Sequence, residues 1–218
     1  ATIVLSLYLG YIAAGVIGLR IAGMGWFDAV NHSISAVATG GFSTQPESVG
    51  HWDSPLIEAV LIVLMLLGSI NFLIAYTVLR GKPGVLWRSA EVRSQTFIIV
   101  VAPVLFAAVT TRAIYGSVVV GARVASFEAV SAITSTGFAS GNSVVYAGWN
   151  DFGLLIIALL MALGGGAGST SGGIKQLRVY VLYKSAFWEI KRAFLPAHAV
   201  NEPVIWQADR REPLSDKQ

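Results

Sequence analysis

The chain has no cysteine among its 218 residues, so it can form neither a disulfide nor a thiolate metal centre. Its three histidines, His32, His51 and His198, are scattered and lack metal-ligand spacing. Charge is scarce too: 12% of residues are Asp, Glu, Lys or Arg, against about a quarter in soluble domains. A glycine-rich run at 164–173 invites a phosphate-loop reading. However, Ile174 separates Gly173 from Lys175, and no strand signal precedes the run. No serine sits in a Gly-x-Ser-x-Gly pattern, and no carboxylate pair, catalytic triad or cofactor motif is present. These absences argue against an enzyme.

What is present is apolar. Hydrophobic residues make up 55% of the chain, and the mean hydropathy is +0.67. Residues 54–79 carry one charge, Glu58, while 94–111 and 152–174 carry none. Such runs approach or exceed the ~20 residues that cross a bilayer core. With 1–23, they predict four spans in an all-α integral membrane protein. The N-terminal segment has no basic leader or small-residue cleavage site, so it reads as a span. It opens at Ala1 inside an apolar run, which suggests a piece of a longer protein.

The chain also repeats itself. Thr39-Gly40-Gly41-Phe42-Ser43-Thr44 returns 96 positions later as Ser135-Thr136-Gly137-Phe138-Ala139-Ser140. Each copy is followed by a tryptophan, Trp52 or Trp149, and then by an apolar run. The expected order is therefore span, short helix, Gly-Phe loop, span, and then the same again. Residues 27–38 make a helix of ~18 Å, which can enter a membrane but not cross it. A re-entrant helix of this kind is tolerated where the following backbone is buried or lines water.

Ser54-Pro55 predicts the start of a second span ending near Leu79. A connector at 80–93 leads to a span at 94–115, with a kink expected at Pro103. A short helix at about 123–134 precedes the second loop, and Asn150-Asp151 caps the next helix. That helix, 151–163, is too short to cross. It runs into Gly164, Gly165, Gly166, Ala167, Gly168, Ser169, Thr170, Ser171, Gly172 and Gly173, whose six glycines are costly in a helix at about 1 kcal/mol each. A basic amphipathic helix from Ile174 to about Phe194 follows, and then a polar, loosely ordered tail from 196. The units are thus 1–79 and 94–195, joined by 80–93 and followed by 196–218.

Basic residues orient this arrangement. With both Gly-Phe loops on one side, that side holds three of them, Arg20, Arg112 and Arg123, and the other holds twelve. The loops then face outward, and the connector and tail face the cytoplasm. The isoelectric point near 9.3 reflects topology and contact with anionic lipid rather than nucleic acid.

A cation that sheds its water needs replacement oxygens, and backbone carbonyls supply them without charge. Thr39, Gly40 and Gly41, with Ser135, Thr136 and Gly137, are the candidate carbonyl donors. Phe42 and Phe138 are expected to pack behind them. The bland alternative, two tight helix-joining turns, is weakened by the register of the copies. The segment 164–173, with Lys175, reads as a flexible gate beneath the loops, or otherwise as a helix-packing surface. Asn71 fits an interhelical hydrogen bond better than an ion ligand. Asp28, Asp53, Glu128 and Asp151 either concentrate cations at the outer mouth or simply cap helices and line a solvated rim.

Together, Gly40-Gly41-Phe42-Ser43-Thr44, His51-Trp52-Asp53-Ser54-Pro55, Thr136-Gly137-Phe138 and Gly166-Ala167-Gly168-Ser169-Thr170-Ser171-Gly172-Gly173-Ile174-Lys175 resemble the Trk/Ktr/HKT superfamily of potassium transporters. The likeness is closest to the bacterial Trk-type membrane subunit and covers about residues 1–195. It implies potassium as the transported ion, no covalent cofactor, and four units around one pore, of which these are the second and third. It also implies a cytosolic nucleotide-binding regulatory subunit, for which 80–93 and 175–194 are candidate contacts. Two units cannot enclose a fourfold pore, so the remaining repeats or a second copy are expected partners. A secondary transporter with its substrate site at the broken helix, or a non-conducting scaffold subunit, is the competing expectation.

Overall fold

The structure is a computed structural model and describes residues 2–141, 148–192, 194, 204–207 and 210–213. Thr2–Ile21 (α1) is mostly apolar, with Arg20 in its last turn, and about 30 Å long. Only Gly15 and Leu19 of this helix are buried. At Gly15 the chains approach closely: a methyl group there would lie 2.7 Å from a Leu64 methyl. A turn through Gly23, at φ +105°, leads into Trp26–Val37 (α2). Its buried residues Ala29, His32, Ser33, Ala36 and Val37 follow helical spacing and form one face. That face packs on α1 and on Pro55–Ser69 (α3), where Pro55 takes the first helical position.

The second span does not continue unbroken to Leu79, as expected. Helix α3 stops at Ser69, Ile70 is extended, and Phe72–Leu79 (α4) leaves at 107°. The Asn71 side chain accepts the Leu73 N–H at 2.9 Å and caps α4, and among the described residues it bonds to no other helix. Glycine and serine at 68–69 are weak helix formers, and asparagine is a strong N-cap, so the break falls between them. The carbonyls it frees are satisfied from the glycine-rich run: Thr170 N–H donates to Gly68 O at 3.2 Å and Gly166 N–H to Ser69 O at 2.8 Å.

Gly84–Arg88 (α5) precedes Ala90–Phe106 (α6), which starts four residues before the expected 94. Past Pro103, residues 107–111 widen into a π-helical turn before Arg112–Tyr115 (α7). Val118–Ile133 (α8) begins a turn earlier than expected. Asn150 caps Asp151–Ala162 (α9), accepting the Gly153 N–H at 2.8 Å as expected, and Gln176–Arg192 (α10) follows the glycine-rich run.

Much of the tail lies outside the described residues. Val204–Gln207 (β1) and Arg210–Pro213 (β2) pair antiparallel, Val204 opposite Pro213, so the chain is not wholly helical. Among the described residues, α1 and the stretch Ala90–Thr110 are each long and apolar enough to cross a membrane. The bent pair α3–α4 makes a third if taken as one span, and α9 is short. The main core joins both halves of the chain, since Leu19, Ala36, Leu61 and Met65 pack with Phe127, Val130 and Phe138.

Candidate functional site

The two Gly-Phe segments fold alike. Gly40 N–H donates to Ser35 O at 2.8 Å, and Thr136 N–H to Ser131 O at 2.9 Å. Thr39 and Ser135, though not glycine, sit at φ +51° and +55°, and Gly41 and Gly137 at +69° and +92°. Left-handed conformations at alternate residues turn successive carbonyls toward one side, whereas an extended strand alternates them. Non-glycine residues hold such angles only where their surroundings fix them, and that pattern clusters at functional sites.

The loops also touch. A methyl group on Gly41 would collide with the Thr136 carbonyl oxygen and lie 2.9 Å from the Gly137 carbonyl carbon. The structure therefore brings Gly41 of the first loop against Thr136 and Gly137 of the second.

Their supports differ. Ser131 Oγ accepts the Gly137 N–H at 3.1 Å and donates to Phe138 O at 2.7 Å. Phe138 is buried and stacks on His32 at 5.5 Å, so it packs behind its loop as expected. Phe42 does not; it is 81% exposed. Phe138 rests on His32 of α2 in the preceding half.

Glu128 braces the second loop, accepting from Ser140 N–H at 2.8 Å and Oγ at 3.1 Å. Asp28 does so for the first loop, accepting from Thr44 Oγ at 2.6 Å. Asp53 and Glu58 both pair with Arg123, Glu58 at 3.0 Å, and Asp151 stands in the first turn of α9.

The glycine-rich run is a closed loop rather than an unwound strand. Gly164 N–H donates to Ile174 O at 2.8 Å and Ile174 N–H to Ala162 O at 2.9 Å, pinching its two ends into a neck. Only glycine fits there, since a methyl group on Gly164 would strike the Gly172 carbonyl. Ser171 Oγ accepts the Gly165 N–H at 2.8 Å, and the Lys175 ammonium donates to Ser171 O. Thr170 Oγ lies at 2.8 Å from Val37 O, at the C-terminal end of α2, and at 2.9 Å from Gly68 O. Gly172 lies against Ser135, its Cβ position 3.6 Å from that of the serine. The loop thus packs directly against both the end of α2 and the start of the second Gly-Phe loop.

A family model described as TrkH, cation transport protein, matches residues 3–215. The chain belongs to this family. It is 34% identical over 200 residues to the Trk system potassium uptake protein TrkH of Salmonella typhimurium strain LT2, an alignment covering 88% of this chain and 40% of that protein. Against Trk system potassium uptake protein TrkG of Escherichia coli strain K12, identity is 33% over 201 residues, covering 88% of this chain and 40% of that one. The crystal structure of the potassium transporter TrkH from Vibrio parahaemolyticus superposes with a TM-score of 0.84 at 30% identity, over 93% of this chain and 43% of that one. This member of the family thus spans about 40% of the length of those relatives.

Sequence reasoning missed the groups on α6 that hold the glycine-rich loop. Glu91, buried at 3% exposure, accepts the Ala167 N–H. Ser94 Oγ donates to Gln176 Oε1 at 3.0 Å, and Gln95 Nε2 to Ser69 Oγ at 2.7 Å. Glu91, Ser94 and Gln95 stand at i, i+3 and i+4, one polar face at the start of a helix that is apolar from Phe97 onward. That spacing was the available signal, and starting the span at 94 placed Glu91 in the connector.

Proposed function

We propose that the chain contributes two span–loop–span units to a potassium uptake pathway in the cell membrane. Thr39, Gly40, Gly41, Ser135, Thr136 and Gly137 supply backbone carbonyls to a selectivity filter. Residues 164–173, with Lys175, form an intramembrane gate beneath it. On this reading α2 and α8 are re-entrant pore helices. Residues 1–79 and 94–195 are the two units, 80–93 a cytoplasmic connector, and 196–218 a cytoplasmic tail.

The observation that carries the reading is the paired left-handed geometry at 39, 41, 135 and 137 in two abutting loops. Carbonyls turned to one side can replace an ion's hydration shell. The C-terminal ends of α2 and α8 add partial negative charge below them, which favours a cation. Thr170, bonded to the last turn of α2, supports a blocking role for the loop. The names of the relatives, potassium uptake proteins of the Trk system, support potassium as the ion.

The remaining units of a longer chain, or a second copy, complete the ring. A cytosolic nucleotide-binding subunit docks on 80–93 and 175–194, and the loops face outward.

Rubidium tracer uptake by the intact transporter in liposomes tests this. Expected is uptake that potassium suppresses and that ends when residues 135–140 are replaced by a Gly-Ser linker. Uptake that survives the replacement removes the filter from the account.

A further inference from the structure

We propose that Glu91 is the positioning residue that keeps the glycine-rich loop closed, so that α6 and the connector ahead of it control the loop. The inference rests on the gate reading above and adds the part that holds the gate.

Glu91 is nearly fully buried, and its carboxylate accepts the N–H of Ala167 at the tip of the loop. The fit is close: a methyl group on Gly166 would lie 2.6 Å from Glu91 Oε1. A charged acceptor is costly to bury unless it is paired, so a loop that left would strand it. Lys175, at the other end of the same loop, puts a positive charge near enough to favour the carboxylate, while its ammonium donates to Ser171 O. Loop and carboxylate therefore hold each other.

The rest of this face of α6 repeats the contact. Ser94 grips Gln176, just past the neck. Gln95 reaches Ser69, whose carbonyl accepts the Gly166 N–H. Ser89, the residue before α6, closes α5 through its N–H to Val85 O at 2.9 Å and receives the Arg93 N–H at 3.1 Å. A pull on the connector is thus transmitted to the first turn of α6 and withdraws Glu91 from Ala167. A partner docking on the cytoplasmic side would act through that displacement.

The test uses the intact transporter in liposomes, with rubidium uptake and thiol labelling as readouts. This chain has no cysteine, so Ala167→Cys, with any cysteine of the remaining units replaced beforehand, places a single reporter at the loop tip. Glu91→Ala is expected to raise basal uptake and the labelling rate by a cationic methanethiosulfonate roughly tenfold, the scale of losing a charge-assisted hydrogen bond. Glu91→Gln, which keeps an acceptor oxygen but not the charge, is expected to lie between wild type and Glu91→Ala; a purely structural role would lower uptake in both variants.

Unchanged uptake and labelling in Glu91→Ala, or lower uptake with unchanged labelling, would overturn the proposal. Deleting residues 166–171 separates the two levels of the claim. Raised uptake in the deletion but not in Glu91→Ala refutes the latch alone, whereas unaltered uptake in the deletion refutes the gate.

Discussion

Ser131 and Ser35 hold the same place, 96 residues apart, yet do different work. Ser131 ties Gly137 and Phe138 to α8, whereas the buried Ser35 hydroxyl has no hydrogen-bond partner among the described residues. Ser131→Ala should therefore leave a loop N–H and a carbonyl unpaired and cost about 1–3 kcal/mol. Ser35→Ala should leave stability unchanged or raise it, since it removes a buried hydroxyl that gains nothing. Thermal unfolding in detergent measures both, and equal effects would show that the loops are braced alike. The repeat itself was legible in sequence, because the Gly-Phe phrase is copied. The asymmetry of its supports was not, because it depends on which half lies behind each loop. Phe42 is exposed while Phe138 is buried, which the copied phrase does not distinguish.

Among elements, the glycine-rich loop is the most constrained. Gly164 cannot carry a side chain, since Gly172 O fills the space, whereas Gly172 itself faces only ordinary contact with Ser135 at 3.6 Å. Gly164→Ala should open the neck between α9 and α10, and Gly172→Ala should be tolerated. Hydrogen exchange of the peptide spanning 160–176 reads this: faster in the first variant and unchanged in the second. Equal exchange would remove the neck. A helix broken here was foreseeable from six glycines in ten positions. That the break closes on itself was not, because its partners Gly68, Ser69 and Glu91 come from two other helices. The bend between α3 and α4 escaped for a related reason. One Asn after Gly68-Ser69 is a weak local signal, and the loop that satisfies the freed carbonyls is about a hundred residues away.

At the scale of the whole molecule, the two halves share one core and one ionic clasp. Arg123 of α8 reaches Asp53 and the buried Glu58 of the first half. Arg123→Gln should cost about 3 kcal/mol, because it leaves the buried Glu58 carboxyl without its partner. A single unfolding transition at lower temperature is expected, and an unshifted midpoint would mean that the clasp is not needed. Outside the core, residues such as Leu9, Ile17, Val63, Phe97 and Val104 are exposed, as lipid or further helices require. The most direct test of the central claim, that carbonyls of the two loops select the ion, is the rubidium-to-sodium flux ratio of the intact transporter with Gly41→Ser or Gly137→Ser. Both positions are left-handed, and at Gly41 the added side chain would also meet Thr136. The ratio is expected to fall roughly tenfold or more, equivalent to about 1.4 kcal/mol of lost discrimination. An unchanged ratio in variants that still fold and conduct would contradict it.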